Sequence, residues 1–119
     1  MRHLALLLPL LAAAPAIAQQ PFPPDATVPP AAAVQQHLTD RNFEAKVANG
    51  NVWRLDYKSN GYFYITVGAY TDSGKWKTED GRLCHAPQKS NGGCNDVRLS
   101  GGTLFMQRDN GEVIRLVPR

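Results

Sequence analysis

From Phe43 onward, bulky apolar side chains recur in short runs at every second position, with charged or hydroxyl groups between most of them. Phe43, Ala45 and Val47 share one parity, as do Trp53, Leu55 and Tyr57, and then Phe63, Ile65 and Val67. A period of two belongs to strands buried on one face, so this stretch is predicted to be antiparallel β. Three of its interruptions, Ala48-Asn49-Gly50, Ser59-Asn60-Gly61 and Asp109-Asn110-Gly111, end in Asn-Gly. That dipeptide suits a three-residue hairpin loop whose glycine takes the left-handed conformation.

The loop length can be checked against the apolar pattern, because a slip of one residue would turn every side chain to the other face. Three-residue loops place Phe43 opposite Leu55, Ala45 opposite Trp53, Leu55 opposite Ile65 and Trp53 opposite Val67. The last Asn-Gly loop sets Met106 opposite Ile114, Leu104 opposite Leu116 and Arg108 opposite Glu112. Two-residue turns at Asp80-Gly81 and Gly101-Gly102 pair Glu79 with Arg82, Thr78 with Leu83, Leu99 with Leu104 and Val97 with Met106. The expected fold is therefore all-β: an antiparallel meander of about eight short strands, curled into a small up-and-down barrel or a strongly bent sheet.

Ahead of the strands the pattern changes. Residues 31–41 contain good helix formers with Val34 and Leu38 one turn apart, which predicts one short N-terminal helix that needs a docking partner. Residues 19–30 hold five prolines and few apolar groups, and are expected to form a disordered tether. Residues 1–18 begin with Met1-Arg2-His3, continue through an apolar run and end in Ala16-Ile17-Ala18, the layout of a secretory signal peptide. The mature chain, a single β domain over 31–119 behind its tether, is thus expected in the periplasm or outside the cell. It has no cysteine at the cleavage point to carry acyl chains and is expected neither lipidated nor inserted in a membrane.

Export changes the reading of the cysteines. Cys84 and Cys94 are the only pair, and in an oxidising compartment they are expected to form a disulfide across two neighbouring strands. Their parity is opposite to that of Leu83, Val97 and Leu99, so the bond belongs on the outer face or at a rim, with Arg82 facing Asp96. Loss of Arg2 leaves twelve basic against ten acidic residues, scattered rather than clustered, which gives no footprint for nucleic acid.

Gly74-Lys75-Trp76, Asp80-Gly81-Arg82-Leu83-Cys84, Cys94 and the closing Asp109-Asn110-Gly111-Glu112 hairpin together resemble a family of small exported bacterial proteins of unknown function with a G-x-W…D-G-x-L-C…C signature. The likeness also takes in the helix leading into residues 38–43 and spans most of the mature chain. The resemblance implies a buried Trp, a turn and a disulfide, and it brings no catalytic or binding residues.

No catalytic constellation emerges. His85 adjoins Cys84, but neighbours in a strand face opposite ways, and His85 is expected half-buried at a strand end. Glu79-Asp80 is explained by its turn, and His37 and His85, the only histidines beyond the leader, do not have zinc-ligand spacing. Neither a cofactor nor a metal is expected, and the chain is read as a non-enzymatic monomer.

The outer face offers Tyr62 and Tyr64 beside Lys58, Asp56 and Arg54, with Tyr70, in the loop between Gly68 and Gly74, extending the patch. Arg54, Lys58, Tyr62, Tyr64 and Tyr70 are the candidate binding surface for a protein or cell-envelope component. Inside, Phe43, Trp53, Leu55, Tyr57, Phe63, Ile65, Trp76, Leu83, Leu99, Leu104, Met106, Ile114 and Leu116 are expected to fill the barrel. Ala45, Gly74 and Thr78 leave at most a shallow space under Trp53 or Trp76. Surface binding is accordingly ranked above two alternatives, a carrier of a small apolar ligand and an inhibitor of a secreted hydrolase.

Overall fold

A computed structural model describes residues 21–119; the expected leader and the first two residues of the expected tether lie outside the described residues. Helix α1 (Ala31–Leu38) leads into β1 (Arg41–Lys46), β2 (Val52–Tyr57), β3 (Tyr62–Val67), β4 (Tyr70–Glu79), β5 (Arg82–Pro87), β6 (Gly93–Ser100), β7 (Thr103–Gln107) and β8 (Val113–Pro118). The eight strands form a closed antiparallel barrel in sequence order. Closure is made by Phe43 and Glu44 of β1 against Pro118 and Val117 of β8, and by the Arg119 amide on the Asn42 carbonyl at 2.9 Å.

Every cross-strand pair derived from the turns is present. Phe43 faces Leu55, Leu55 faces Ile65, Thr78 faces Leu83, Cys84 faces Cys94, Leu99 faces Leu104 and Met106 faces Ile114. The three Asn-Gly glycines, Gly50, Gly61 and Gly111, have φ of 90°, 89° and 91°, a region costly for any residue with a Cβ. Each preceding Asn turns its side-chain oxygen back to the backbone N–H two residues on, at 2.9–3.1 Å, which fixes the corner locally.

At one end the barrel is solid. Phe43, Tyr57, Leu83, Leu104 and Leu116 are fully buried there, and α1 closes that end with Val34 and Leu38, also fully buried. Burying a Val or Leu side chain is worth about 1.5–3 kcal/mol, which supplies the docking a two-turn helix needs. The helix is shorter than the expected 31–41. The Thr39 amide and hydroxyl both donate to the Gln35 carbonyl, and Asp40, in the left-handed region at φ 58°, sends its N–H to the Tyr57 carbonyl at 2.8 Å. The chain has thereby joined the sheet before Arg41.

Residues 21–30 depart from the expected tether, because they lie along the barrel. β5 starts only at Arg82, so the end of β6 lacks a neighbour on that side. Thr27 fills the gap, exchanging two hydrogen bonds with Leu99 at 2.8 and 3.0 Å. The Pro29 carbonyl accepts from the Gly81 amide at 2.7 Å, the Ser100 hydroxyl donates to Asp25 at 2.8 Å, and the Arg98 guanidinium sits 5.1 Å from the centre of the Phe22 ring. Proline stiffening lowers the entropy lost in laying this extended segment on the strand edge.

Candidate functional site

Alternate hairpin loops of a meander gather at the same end, so the β1–β2, β3–β4, β5–β6 and β7–β8 connections all surround the mouth opposite α1. Here the expectation of a filled interior fails. A cavity of about 700 Å³ opens between Trp53, Leu55, Phe63, Ile65 and Met106, with His85, Asn95 and Arg108 also on its wall. Trp53 and Ile65 are only partly buried, since part of their surface borders this space.

Three local causes keep it open. The wall includes Gly92 and Gly93, which project no side chain into the space, and deeper in the barrel a Cβ on Gly74 would stand 2.1 Å from the Ala86 carbonyl oxygen, so close approach of β4 and β5 requires glycine there. The β6–β7 ladder runs only from Ser100 opposite Thr103 to Val97 opposite Met106. Mouthward of that pair the strands are linked by side chains, with Asn95 Nδ2 donating to Asp109 Oδ1 at 2.8 Å. Last, the inward parity turns polar toward the mouth, at Tyr70, Asp72, His85, Asn95 and Arg108, and such groups do not collapse into a dry core.

Asp72 builds one wall. Its carboxylate accepts from the Ser73, Gln88 and Lys89 amides at 2.7–3.3 Å and from the Tyr70 hydroxyl at 3.2 Å. Burial alone would raise its pKa, but these donors outweigh it and hold the carboxyl below its ordinary range. The β5–β6 loop is thus clasped to the start of β4, and the Lys89 ammonium adds a 2.6 Å bond to the Thr71 carbonyl. On the opposite side Arg108 lies 4.8 Å from the centre of the Trp53 ring and pairs with Glu112, whose other oxygen accepts from the Ala48 amide at 2.7 Å.

His85 occupies the inner part of the cavity. Its Nε2 lies 2.8 Å from the hydroxyl oxygen of fully buried Tyr57, and its ring meets Phe63 edge-on at 4.7 Å between centroids. Burial pushes the imidazole down to about 4 and the Tyr57 phenol well above its usual value. The ring is therefore neutral near pH 7.

The expected outer patch divides in two. Tyr62 and Tyr64 are exposed, with Tyr64 paired to Asp56, Arg54 beside Thr66, and Lys58 at the adjoining corner. Tyr70 does not join them. It opens β4 opposite Val67 rather than lying in a loop, has inward parity and stands at the cavity mouth. Cys84 and Cys94 are bonded across β5 and β6 on the outward parity, beside Lys77, with Arg82 3.8 Å from Asp96. The Glu79 carboxylate lies within 4.8 Å of both sulfurs, but their mutual bond leaves no thiolate to hold a metal.

His85, Asp72, Asn95 and Arg108 are site residues that the alternation of large apolar groups passes over. The available signal was the switch from apolar to polar on a single parity toward the mouth in β4, β5, β6 and just past β7, whereas β1 and β3 keep Val47 and Val67 there. No protein-family model, no curated protein and no solved structure matches the chain.

Proposed function

We propose that this protein is a non-enzymatic binding module of the periplasm or cell exterior that holds a small, mainly apolar molecule in the mouth of its barrel. The observation that carries the reading is the cavity of about 700 Å³, within the range of about 300–1,000 Å³ common for small-molecule sites. Its apolar inner wall and polar rim suit a ligand buried for most of its surface. Outward rows of charge such as Arg54 and Asp56, Lys75 and Lys77, and Arg82 and Asp96 favour water rather than lipid around the barrel. The leader expected over residues 1–18, the likeness to small exported proteins and the disulfide support the location.

The test is native mass spectrometry of the protein recovered from its host without denaturation. A single small-molecule adduct is expected, retained by Tyr62→Ala/Tyr64→Ala and lost when Ile65→Trp/Val67→Trp fills the mouth. No adduct, or one that survives filling, would reject the cavity. The exposed Tyr62 and Tyr64 favour a second reading, docking of a protein or envelope component on the outer face. Loss of a co-purifying protein from the double-alanine variant alone would favour it over the first.

A further inference from the structure

We infer that the inner end of the bound molecule carries a neutral oxygen acceptor, such as a ketone or ester carbonyl, which receives a hydrogen bond from Nδ1 of His85. This rests on the reading of the barrel mouth as a ligand site.

Tyr57 decides which nitrogen bears the proton. Its hydroxyl is fully enclosed, and His85 Nε2 is its one hydrogen-bond partner among the described residues. If Nε2 carried the hydrogen, the phenolic proton would have no acceptor, and leaving a buried donor unmade costs about 1–3 kcal/mol. The phenol therefore donates to a bare Nε2, and the imidazole hydrogen sits on Nδ1. Nδ1 has no hydrogen-bond partner among the described residues and is not among the sealed unpaired atoms, so it opens to the cavity that His85 lines. Contact with Phe63 and Tyr57 fixes the ring, leaving one oriented N–H donor at the inner end of an apolar wall.

The charges around the mouth are already engaged, which argues for a neutral partner. Arg108 is paired with Glu112, Asp72 is saturated by three amides and a phenol, Asp109 accepts from Asn95, and Lys89 is bonded to a carbonyl. An ionised head pushed to His85 would lose its water without a counter-charge.

The experiment compares 2-acetylnaphthalene with 2-isopropenylnaphthalene, which replaces the carbonyl oxygen by a methylene of similar shape. Calorimetric affinities for the wild type and His85→Leu give a ratio of ketone to alkene binding that is expected to fall about five- to tenfold in the variant, the span one neutral hydrogen bond supplies. An unchanged ratio overturns the inference while leaving the cavity reading intact. If neither compound binds the wild type, the cavity reading falls and this inference with it. A measurement free of variants is nitrogen NMR of histidine-labelled protein. Nδ1 is expected to be the protonated nitrogen, with a shift that moves on adding the ketone; protonation at Nε2 overturns the assignment.

Discussion

His85 links stability to pH through its position inside the barrel. Its folded pKa, about 4, lies below the ordinary 6.5, so the unfolded chain takes up a proton first as the solution is acidified. Its contribution is complete above about pH 6.5 and is lost as pH falls toward 4, by roughly 3 kcal/mol. His37, stacked on Phe43 and lowered by burial and by Arg41, acts in the same direction. Thermal unfolding followed from pH 7 to pH 4 should show a falling midpoint, with a flatter dependence in His85→Leu; equal slopes would remove His85 from the account. Asp72 works in a different window, since its lowered carboxyl stabilises above the usual carboxylate range and loses that effect only below it. Asp72→Asn is expected to lower the thermal unfolding midpoint at pH 7, because an amide nitrogen cannot accept the bonds that one carboxylate oxygen accepts. It should also speed hydrogen exchange at the Gln88 and Lys89 amides, and unchanged exchange would show that the clasp does not hold the loop.

At the scale of elements, the parts legible in the sequence were those set by local rules. Asn-Gly corners force a loop length, loop length forces a register, and the register is verified by whether Leu55, Ile65 and Met106 fall on one face. The same parity placed the disulfide on the outward side of β5 and β6, where Cys84 is nevertheless buried and Cys94 half-buried. Residues 21–30 were not legible, because proline content describes a segment's stiffness and not the unpaired edge beyond Arg82 that it meets. Helix α1 was misjudged only at its end, where Asp40 takes a conformation rarely adopted outside Gly, Asn and Asp. Leu38→Ala should destabilise by about 2–5 kcal/mol in a denaturant titration, because Leu38 is fully enclosed where α1 meets the barrel. Reduction of Cys84–Cys94, which closes a separation of 10 residues, should cost about 3 kcal/mol by the loop-entropy argument.

For the molecule as a whole, the two ends of the barrel have different work. The α1 end holds the large aromatic and aliphatic groups and carries stability, while the mouth trades packing for polar groups and an open volume. Counting bulky inward residues missed this because a list has no axis. Phe43, Tyr57, Leu83 and Leu116 crowd one end, and at the other Trp53, Ile65 and Val67 share the inward places with Asp72, Asn95 and Arg108 around an unfilled space. The most direct test of the open mouth is a fluorescence titration of the folded protein with 1-N-phenylnaphthylamine, in wild type and in Ile65→Trp/Val67→Trp. One saturable site per chain is expected in the wild type, at least tenfold weakened by filling and untouched by Tyr62→Ala/Tyr64→Ala. Absence of saturable binding, or equal binding after the mouth is filled, would contradict it.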